Sequence, residues 1–371
     1  MFASSKLARR AFSASAIALA VGLVSCGTQT SQTSPQTGAN PATNTAARTG
    51  GSTISINGAG ATFPAPLYQR WFAQYNSLNP NVQINYQSVG SGAGVKQFLA
   101  KTVDFGATDA PLKDDERKEY PSDMGKPVQI PMTGGAIVFA YNLDGVDNLR
   151  LSRETYCGIV EGTIKDWSDP KIAKDNPDVR IPTVPMTFVH RSDGSGTTFI
   201  FTNHIQAACP NWKAGAGKSV EWPTGVGAKG NEGVTAQVQQ TKGAIGYTEY
   251  SYAKENNLKA ATIQNKAGQF ITPSPETAAK SFAGTTIPED FALTLPDPEA
   301  KDGYPIVGLT WLLLYGQYDD TAKADALKGV VKWALTEGDK FAEELGYLPL
   351  PDDVANRVVA TLDTIKVASA K

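Results

Sequence analysis

Alternating apolar and polar positions mark a series of strands along this chain, and after each strand the apolar spacing changes to that of a helix. Thr53–Ile54–Ser55–Ile56–Asn57 alternates, and Gly58–Ala59–Gly60–Ala61–Thr62–Phe63–Pro64–Ala65–Pro66 follows as a turn. Leu67, Trp71, Phe72 and Tyr75 then share one helix face, with Pro64 or Pro66 suited to its first turn. Thr62 and Phe63 therefore stand where a helix presents free N–H groups. Val82–Gln87 alternates in its turn, reaches Gly90–Ser91–Gly92–Ala93–Gly94 and gives way to the helical Val95–Leu99. A third strand, Val103–Ala107, ends at Thr108–Asp109–Ala110–Pro111. Three strand ends thus deliver Thr62, Ser91 and Asp109, in an alternation that predicts an α/β sheet with its site at the strand C-terminal ends.

Farther on, Val128–Ala140 reads as a buried strand able to cross into a second domain, and Leu151–Trp167 as helical or irregular segments. Val184–His190 alternates like a strand, and the apolar run after Phe199 is helical as far as Cys209. Gly225–Gly233 leads into a helix over Val234–Gln240, and the strand Gly243–Tyr250 turns into a helix over Tyr252–Lys259. Tyr304–Tyr315, long and apolar, is the candidate for a return crossing, followed by helices over Ala322–Leu335, Gly338–Leu345 and Asp352–Ile365. Two crossings predict two α/β lobes with a hinge and a central cleft: residues 52–132 with 306–371, and residues 133–305.

Between the strand ending at His190 and the next helix lies Arg191–Ser192–Asp193–Gly194–Ser195–Gly196–Thr197–Thr198–Phe199, the densest chemistry in the chain. Ser195 and Thr197 are capping residues, and Gly194 and Gly196 let the backbone bend so that N–H groups face a ligand. A helix start carries partial positive charge, and Arg191 adds a full charge on a planar fork of donors. The pattern suits a tetrahedral oxyanion.

Composition narrows the setting. The chain has 371 residues, 19% charged and 41% hydrophobic, too long for one ordinary core. Lys6, Arg9 and Arg10 followed by the apolar Ala11–Val24 form a signal peptide over residues 1–25, and Leu23–Val24–Ser25–Cys26 has the pattern of a bacterial lipoprotein box. Cys26 would take the lipid; a plain secretory signal with a chance cysteine is the other reading. Residues 26–51, rich in Thr, Gln, Ser, Asn, Pro and Ala, read as a flexible tether. Loss of the three signal cations takes the formal charge from −2 to −5, and no basic run remains to bind nucleic acid. Cys157 and Cys209 are left to form a disulfide in an oxidising compartment, or to stay as two buried thiols. His190 and His204 are too isolated to read as metal ligands.

Several motifs fail. Gly217–Lys218–Ser219 ends like a phosphate loop, but Trp212 stands where its first glycine belongs. Gly58–Phe63 lacks the third glycine of a dinucleotide fingerprint, and Ser192 and Asp193 break any nucleophile elbow at Ser195.

The long motifs Gly58–Pro66, Gly90–Gln97, Val103–Pro111, Arg191–Thr197 and Gly243–Tyr247, in that order, closely resemble the phosphate-binding lipoproteins of bacterial phosphate ABC transporters. The resemblance implies a type II periplasmic-binding-protein fold that holds dehydrated phosphate between its lobes. It implies donors from Thr62 (hydroxyl and N–H), Phe63 (N–H), Ser91, Ser195, Gly196 (N–H) and Thr197, a charged fork from Arg191, and Asp193 orienting that fork. His190 stands where some relatives carry a second arginine, and the two late cysteines are not general to the family.

Asp109 facing an anion makes physical sense only if the ligand carries a proton that the carboxylate can accept. Phosphate has one at neutral pH and sulfate has none, so sulfate would meet a like charge, a penalty on the order of several kcal/mol in a dry site. A helix N-cap before Ala110–Pro111 is a second role open to Asp109. The expected protein is a monomeric, lipid-anchored binding protein at the outer side of the cytoplasmic membrane. It would hand inorganic phosphate to a permease, without a cofactor, metal or catalytic step. The competing readings are a binding protein for sulfate or molybdate, a phosphatase using Ser195 or Asp109, and a surface protein stabilised by phosphate.

Overall fold

The three early strands form close to where the alternation places them, and the first lies between the second and the third. The computed structural model describes residues 52–367; the signal segment, the tether and Cys26 lie outside the described residues. The strands are β1 (Ile54–Gly60), β2 (Val82–Ser88), β3 (Phe105–Thr108), β4 (Val128–Tyr141), β5 (Arg150–Leu151), β6 (Thr187–Arg191), β7 (Val226–Ala228) and β8 (Ala244–Glu249). They continue as β9 (Lys259–Ala260), β10 (Thr262–Gln264), β11 (Phe270–Ile271), β12 (Val307–Leu314), β13 (Gln317–Tyr318) and β14 (Lys366–Val367). Helices α1 (Ala65–Leu78), α2 (Ser91–Leu99) and α3 (Asp114–Lys118) follow the first three strands. Next come α4 (Arg153–Val160), α5 (Pro170–Asp175), α6 (Gly196–Ala208), α7 (Gly230–Gln240), α8 (Tyr250–Glu255) and α9 (Pro275–Phe282). The chain closes with α10 (Thr321–Ala334), α11 (Asp339–Leu345) and α12 (Asp352–Leu362).

The main sheet has the order β2-β1-β3-β12-β4-β8-β6-β7, with β9 also on β4. β1, β2 and β3 are parallel, as are β6, β7 and β8, while β12 and β4 run antiparallel to their neighbours. The 14-residue β4 is shared between two halves. Its residues from Val128 to Ala136 pair with β12, and from Ile137 to Tyr141 with β8. The return passes through Ile306, whose carbonyl accepts the Ile137 N–H at 2.9 Å. Both β4 and β12 are buried on both faces along nearly their whole length, which is why they read as unbroken apolar runs. The resulting architecture is the two-lobed α/β fold.

Element boundaries differ where tertiary contacts override local signals. Gly58 and Gly60 lie inside β1 rather than in a turn, because neighbours press against them. A Cβ on Gly58 would stand 2.0 Å from the Phe105 ring, and one on Gly60 2.0 Å from the Ala107 carbonyl oxygen. Helix α7 starts at Gly230, ahead of the expected Val234, because remote side chains cap it: Asp193 Oδ1 accepts the Gly230 N–H at 3.0 Å. Helix α8 stops at Glu255, short of Lys259, with Asn257 in the left-handed region at φ 53°. Asp109 is not an N-cap, since α3 begins at Asp114 behind Lys113.

Cys157 in α4 and Cys209 at the end of α6 form a disulfide with Cα atoms 5.5 Å apart, closing a separation of 52 residues. Both are buried, so the bridge ties two helices of the second half beneath the sheet. Reduction, or paired replacement by alanine, is expected to lower unfolding stability by up to about 4 kcal/mol in the loop-entropy account. Denaturant melts with and without reductant check this; coincident curves would leave the bridge without energetic weight.

Candidate functional site

The C-terminal ends of β1, β2, β3, β6 and β7 converge, and with them the residues that the loops present. Thr62, Ser91, Asp109, Arg191, Ser195 and Thr197 are each 97% buried or more. Polar groups so far from water need partners, and the partners define the site.

Arg191, at the end of β6, is held from the side. Its Nε donates to Asp193 Oδ1 at 2.8 Å and its Nη2 to Asp193 Oδ2 at 2.6 Å. Nη1 approaches Asn231 Oδ1 at 3.4 Å. Of the five guanidinium N–H groups, one on each terminal nitrogen is left for a ligand. Burial works to raise the Asp193 carboxyl, but the hydrogen bonds and charge of Arg191 win and hold it below its ordinary value.

Around this fork the hydroxyls are arranged as donors. Ser195 caps α6 by accepting the Thr198 N–H at 3.0 Å, which frees its own hydrogen. Thr62 Oγ1 accepts the Asn231 N–H at 3.2 Å, and Thr197 Oγ1 accepts from Asn231 Nδ2 at 3.1 Å. Ser91 Oγ accepts two backbone N–H groups, from Asp109 at 3.1 Å and Gly196 at 3.0 Å. The Gly196 N–H, expected to face the ligand, is therefore engaged by Ser91 in this structure. Among the described residues no protein acceptor takes the N–H groups of Thr62, Phe63 or Thr197.

Asp109 is the lone acceptor in this ring of donors. Thr310 Oγ1 of β12 donates to its Oδ1 at 2.7 Å, and Ser91 Oγ lies 3.4 Å from its Oδ2. Burial pushes the Asp109 carboxyl up to about 7, against the lowering effects of the Thr310 bond, the Arg191 charge and Ser91. A Cβ on Gly196 would fall 2.5 Å from both Asp109 Oδ2 and Ser91 Oγ, so only glycine lets the β6–α6 turn come this close.

Further contacts join the two halves around the site. Gly92 N–H donates to Gly194 O at 2.8 Å, Tyr252 OH to Thr62 O at 2.6 Å and Ser88 Oγ to Glu232 Oε1 at 2.8 Å. Lys218 and Glu116 form a half-buried ion pair across the same gap. Neither histidine takes part. His190 stacks on Trp222 at 4.9 Å, while His204 is buried between Tyr156 OH and the Pro296 carbonyl. Asn231 and Thr310 were missed from the sequence. Asn231 sits in Gly230–Asn231–Glu232–Gly233, a glycine-bracketed polar start of a helix, and Thr310 is the single hydroxyl within the apolar β12; both patterns were available as signals.

The PBP superfamily domain matches residues 32–337. The phosphate-binding protein PstS of Pasteurella multocida is 41% identical over 316 residues, 84% of this chain and 90% of that protein. The phosphate-binding protein PstS of Methanocaldococcus jannaschii is 41% identical over 341 residues, 85% of this chain and 87% of that protein. The fold is similar to that of a high affinity periplasmic phosphate-binding protein (PfluDING) bound with phosphate. That likeness has a TM-score of 0.70 at 24% identity and covers 83% of this chain and 93% of the other.

Burial of Asp109 has a consequence for stability. Its folded value, about 7, lies above the ordinary 3.8, so folding favours the neutral carboxyl. That stabilisation is complete below pH 3.8 and is lost as pH rises through about 7. Asp109→Asn stays neutral throughout, so the ligand-free variant should melt a few degrees above the parent at pH 8, with the gap closing toward pH 4. Scanning calorimetry across that range checks it, and a gap independent of pH would refute it.

Proposed function

This chain belongs to the phosphate-binding proteins of the PBP superfamily, and on that premise we propose that it binds inorganic phosphate outside the cytoplasm and delivers it to an ABC-type permease for import. The observation that carries the reading is a buried ring of donors with a single buried acceptor. Arg191 contributes its two remaining N–H groups, Thr62, Ser91, Ser195 and Thr197 their hydroxyls, and Thr62, Phe63 and Thr197 their backbone N–H groups. Gly196 contributes its N–H when Ser91 turns to the ligand. Asp109 accepts the one proton that phosphate still carries at neutral pH. Sulfate, without that proton, meets a carboxylate in a site with little water to screen the repulsion.

Capture and release follow from the shared strand. Residues 52–132 with 306–371 would form one lobe and residues 133–305 the other, and β4 changes partner between Ala136 and Ile137. Rotation about that strand and the Ile306 return would part Ser91 from Gly196 and Thr62 from Asn231, opening the site to water. Lys218–Glu116 and Ser88–Glu232 would part with them. The protein would act as a monomer without a catalytic step, tethered by lipid on Cys26 at the outer side of the cytoplasmic membrane. A phosphatase would need an activated nucleophile, and the Ser195 Oγ caps a helix while both histidines lie elsewhere.

Calorimetric titration of the stripped, mature protein should show phosphate binding and no sulfate signal at pH 8, where the Asp109 carboxyl, pushed up to about 7, is ionised. Asp109→Asn should admit sulfate, and Arg191→Ala should weaken phosphate binding at least about 100-fold through loss of charged hydrogen bonds. Equal binding of the two anions, or of neither, would overturn the reading, and release of chromophore from a phosphate ester would revive the phosphatase. Anchoring has its own check: Cys26→Ala should move the protein from the membrane fraction to the soluble one.

A further inference from the structure

Three of the groups that surround the site have one neighbour in common. Asn231, the second residue of α7, is fully buried. Its backbone N–H donates to Thr62 Oγ1 at 3.2 Å and its Nδ2 to Thr197 Oγ1 at 3.1 Å. Its Oδ1 faces Arg191 Nη1 and Thr248 Oγ1, each at 3.4 Å.

The chemistry of these partners settles which way the amide points. Arginine has no acceptor, so the amide oxygen must face Arg191 and the amide NH2 must face Thr197. A threonine hydroxyl is ambivalent and can donate or accept. Once an N–H of Asn231 occupies an oxygen lone pair, the hydroxyl hydrogen has to find an acceptor elsewhere. Thr62 and Thr197 have no other side-chain acceptor among the described residues, so both hydrogens are available to a ligand. A protonated ligand oxygen that donated to either hydroxyl would take its second lone pair and leave the hydroxyl hydrogen without an acceptor in a dry site.

We infer that Asn231 is a positioning residue that sets ligand specificity at second hand. It commits the Thr62 and Thr197 hydroxyls as donors, so that these positions accept only unprotonated oxygens and the ligand's proton is confined to Asp109. The inference rests on the phosphate reading above and assigns the discrimination to two places. Asp109 requires one proton on the ligand, and Asn231 forbids one at the opposite wall. Asn231 also reports closure, because its two contacts lie on different halves: Thr62 after β1, and Thr197 in α6.

A double-mutant cycle with phosphate as the titrant tests this. Asn231→Leu keeps the branched side-chain shape and the backbone N–H on Thr62 but removes the amide donor to Thr197 together with the amide oxygen facing Arg191 and Thr248. Thr197→Val removes the hydroxyl that the donor orients. At neutral pH, Asn231→Leu should weaken phosphate binding at least tenfold, and so should Thr197→Val. The double variant should lose clearly less than the product of the two single losses, the shortfall being the share of the amide's effect that passes through the Thr197 hydroxyl and the remainder its contact with Arg191. A residue that only supported the fold would give losses that multiply. Melting curves of the ligand-free variants establish folding, and if Asn231→Leu does not fold, Asn231→Ala takes its place in the same cycle. Parental affinity in the Asn231 variant, or multiplying losses, would overturn the inference while the phosphate reading stands. Failure of the parent protein to bind phosphate would remove both.

Discussion

A guanidinium withdrawn from water must be matched by hydrogen bonds and countercharge, and at Arg191 the matching is deliberately partial in geometry. Asp193 covers the Nε–Nη2 side with two short bonds and also ties the arginine to the start of α7 through Gly230. The ion pair neutralises the charge but leaves outward N–H groups without partners. Breaking such a pair leaves a buried charge uncompensated, so the fork is held and its outward donors are already in place. The β6–α6 turn and the start of α7 are tied together through that arrangement.

Against this excess of donors the fold places one buried acceptor. Asp109 lies at the end of β3, within reach of β12 through Thr310 and of the β6–α6 turn through Ser91 and Gly196. Burial raises its carboxyl to about 7, whereas the arginine charge and the threonine bond pull it down. The balance leaves it able to take or share a proton near neutral pH. Glu249, at the point where β8 meets Ile137 of β4, is also buried and pushed up to about 8. The hinge strand therefore passes a second carboxyl that is most comfortable neutral, so ionisation in this region works against the folded state.

The chemistry at each strand end was open to inspection along the chain. Thr62 and Phe63 before a proline-started helix, Ser91 between glycines, Asp109 after a short strand and the Arg191–Thr197 turn are local patterns, and local patterns survive in one dimension. Asn231 and Thr310 carry weaker local marks, a glycine-bracketed helix start and a lone hydroxyl in an apolar strand. Neither mark states a role, which each acquires from a neighbour far along the chain: Thr62 lies 169 residues from Asn231, and Asp109 lies 201 residues from Thr310.

The sequence by itself determined the strand–helix alternation, the two long apolar crossings and the donor-rich turns, because each depends on residues within a few positions of one another. It also carried the cysteine pair, though not the 5.5 Å that joins it. Only the tertiary structure decided that Gly58 and Gly60 are strand residues pressed by Phe105 and Ala107, that α7 begins at a glycine capped by Asp193, and that Ser91 engages the Gly196 N–H. Close approach, remote capping and the direction in which a hydroxyl donates are relations between segments. They exist only once the sheet has brought those segments within hydrogen-bonding distance.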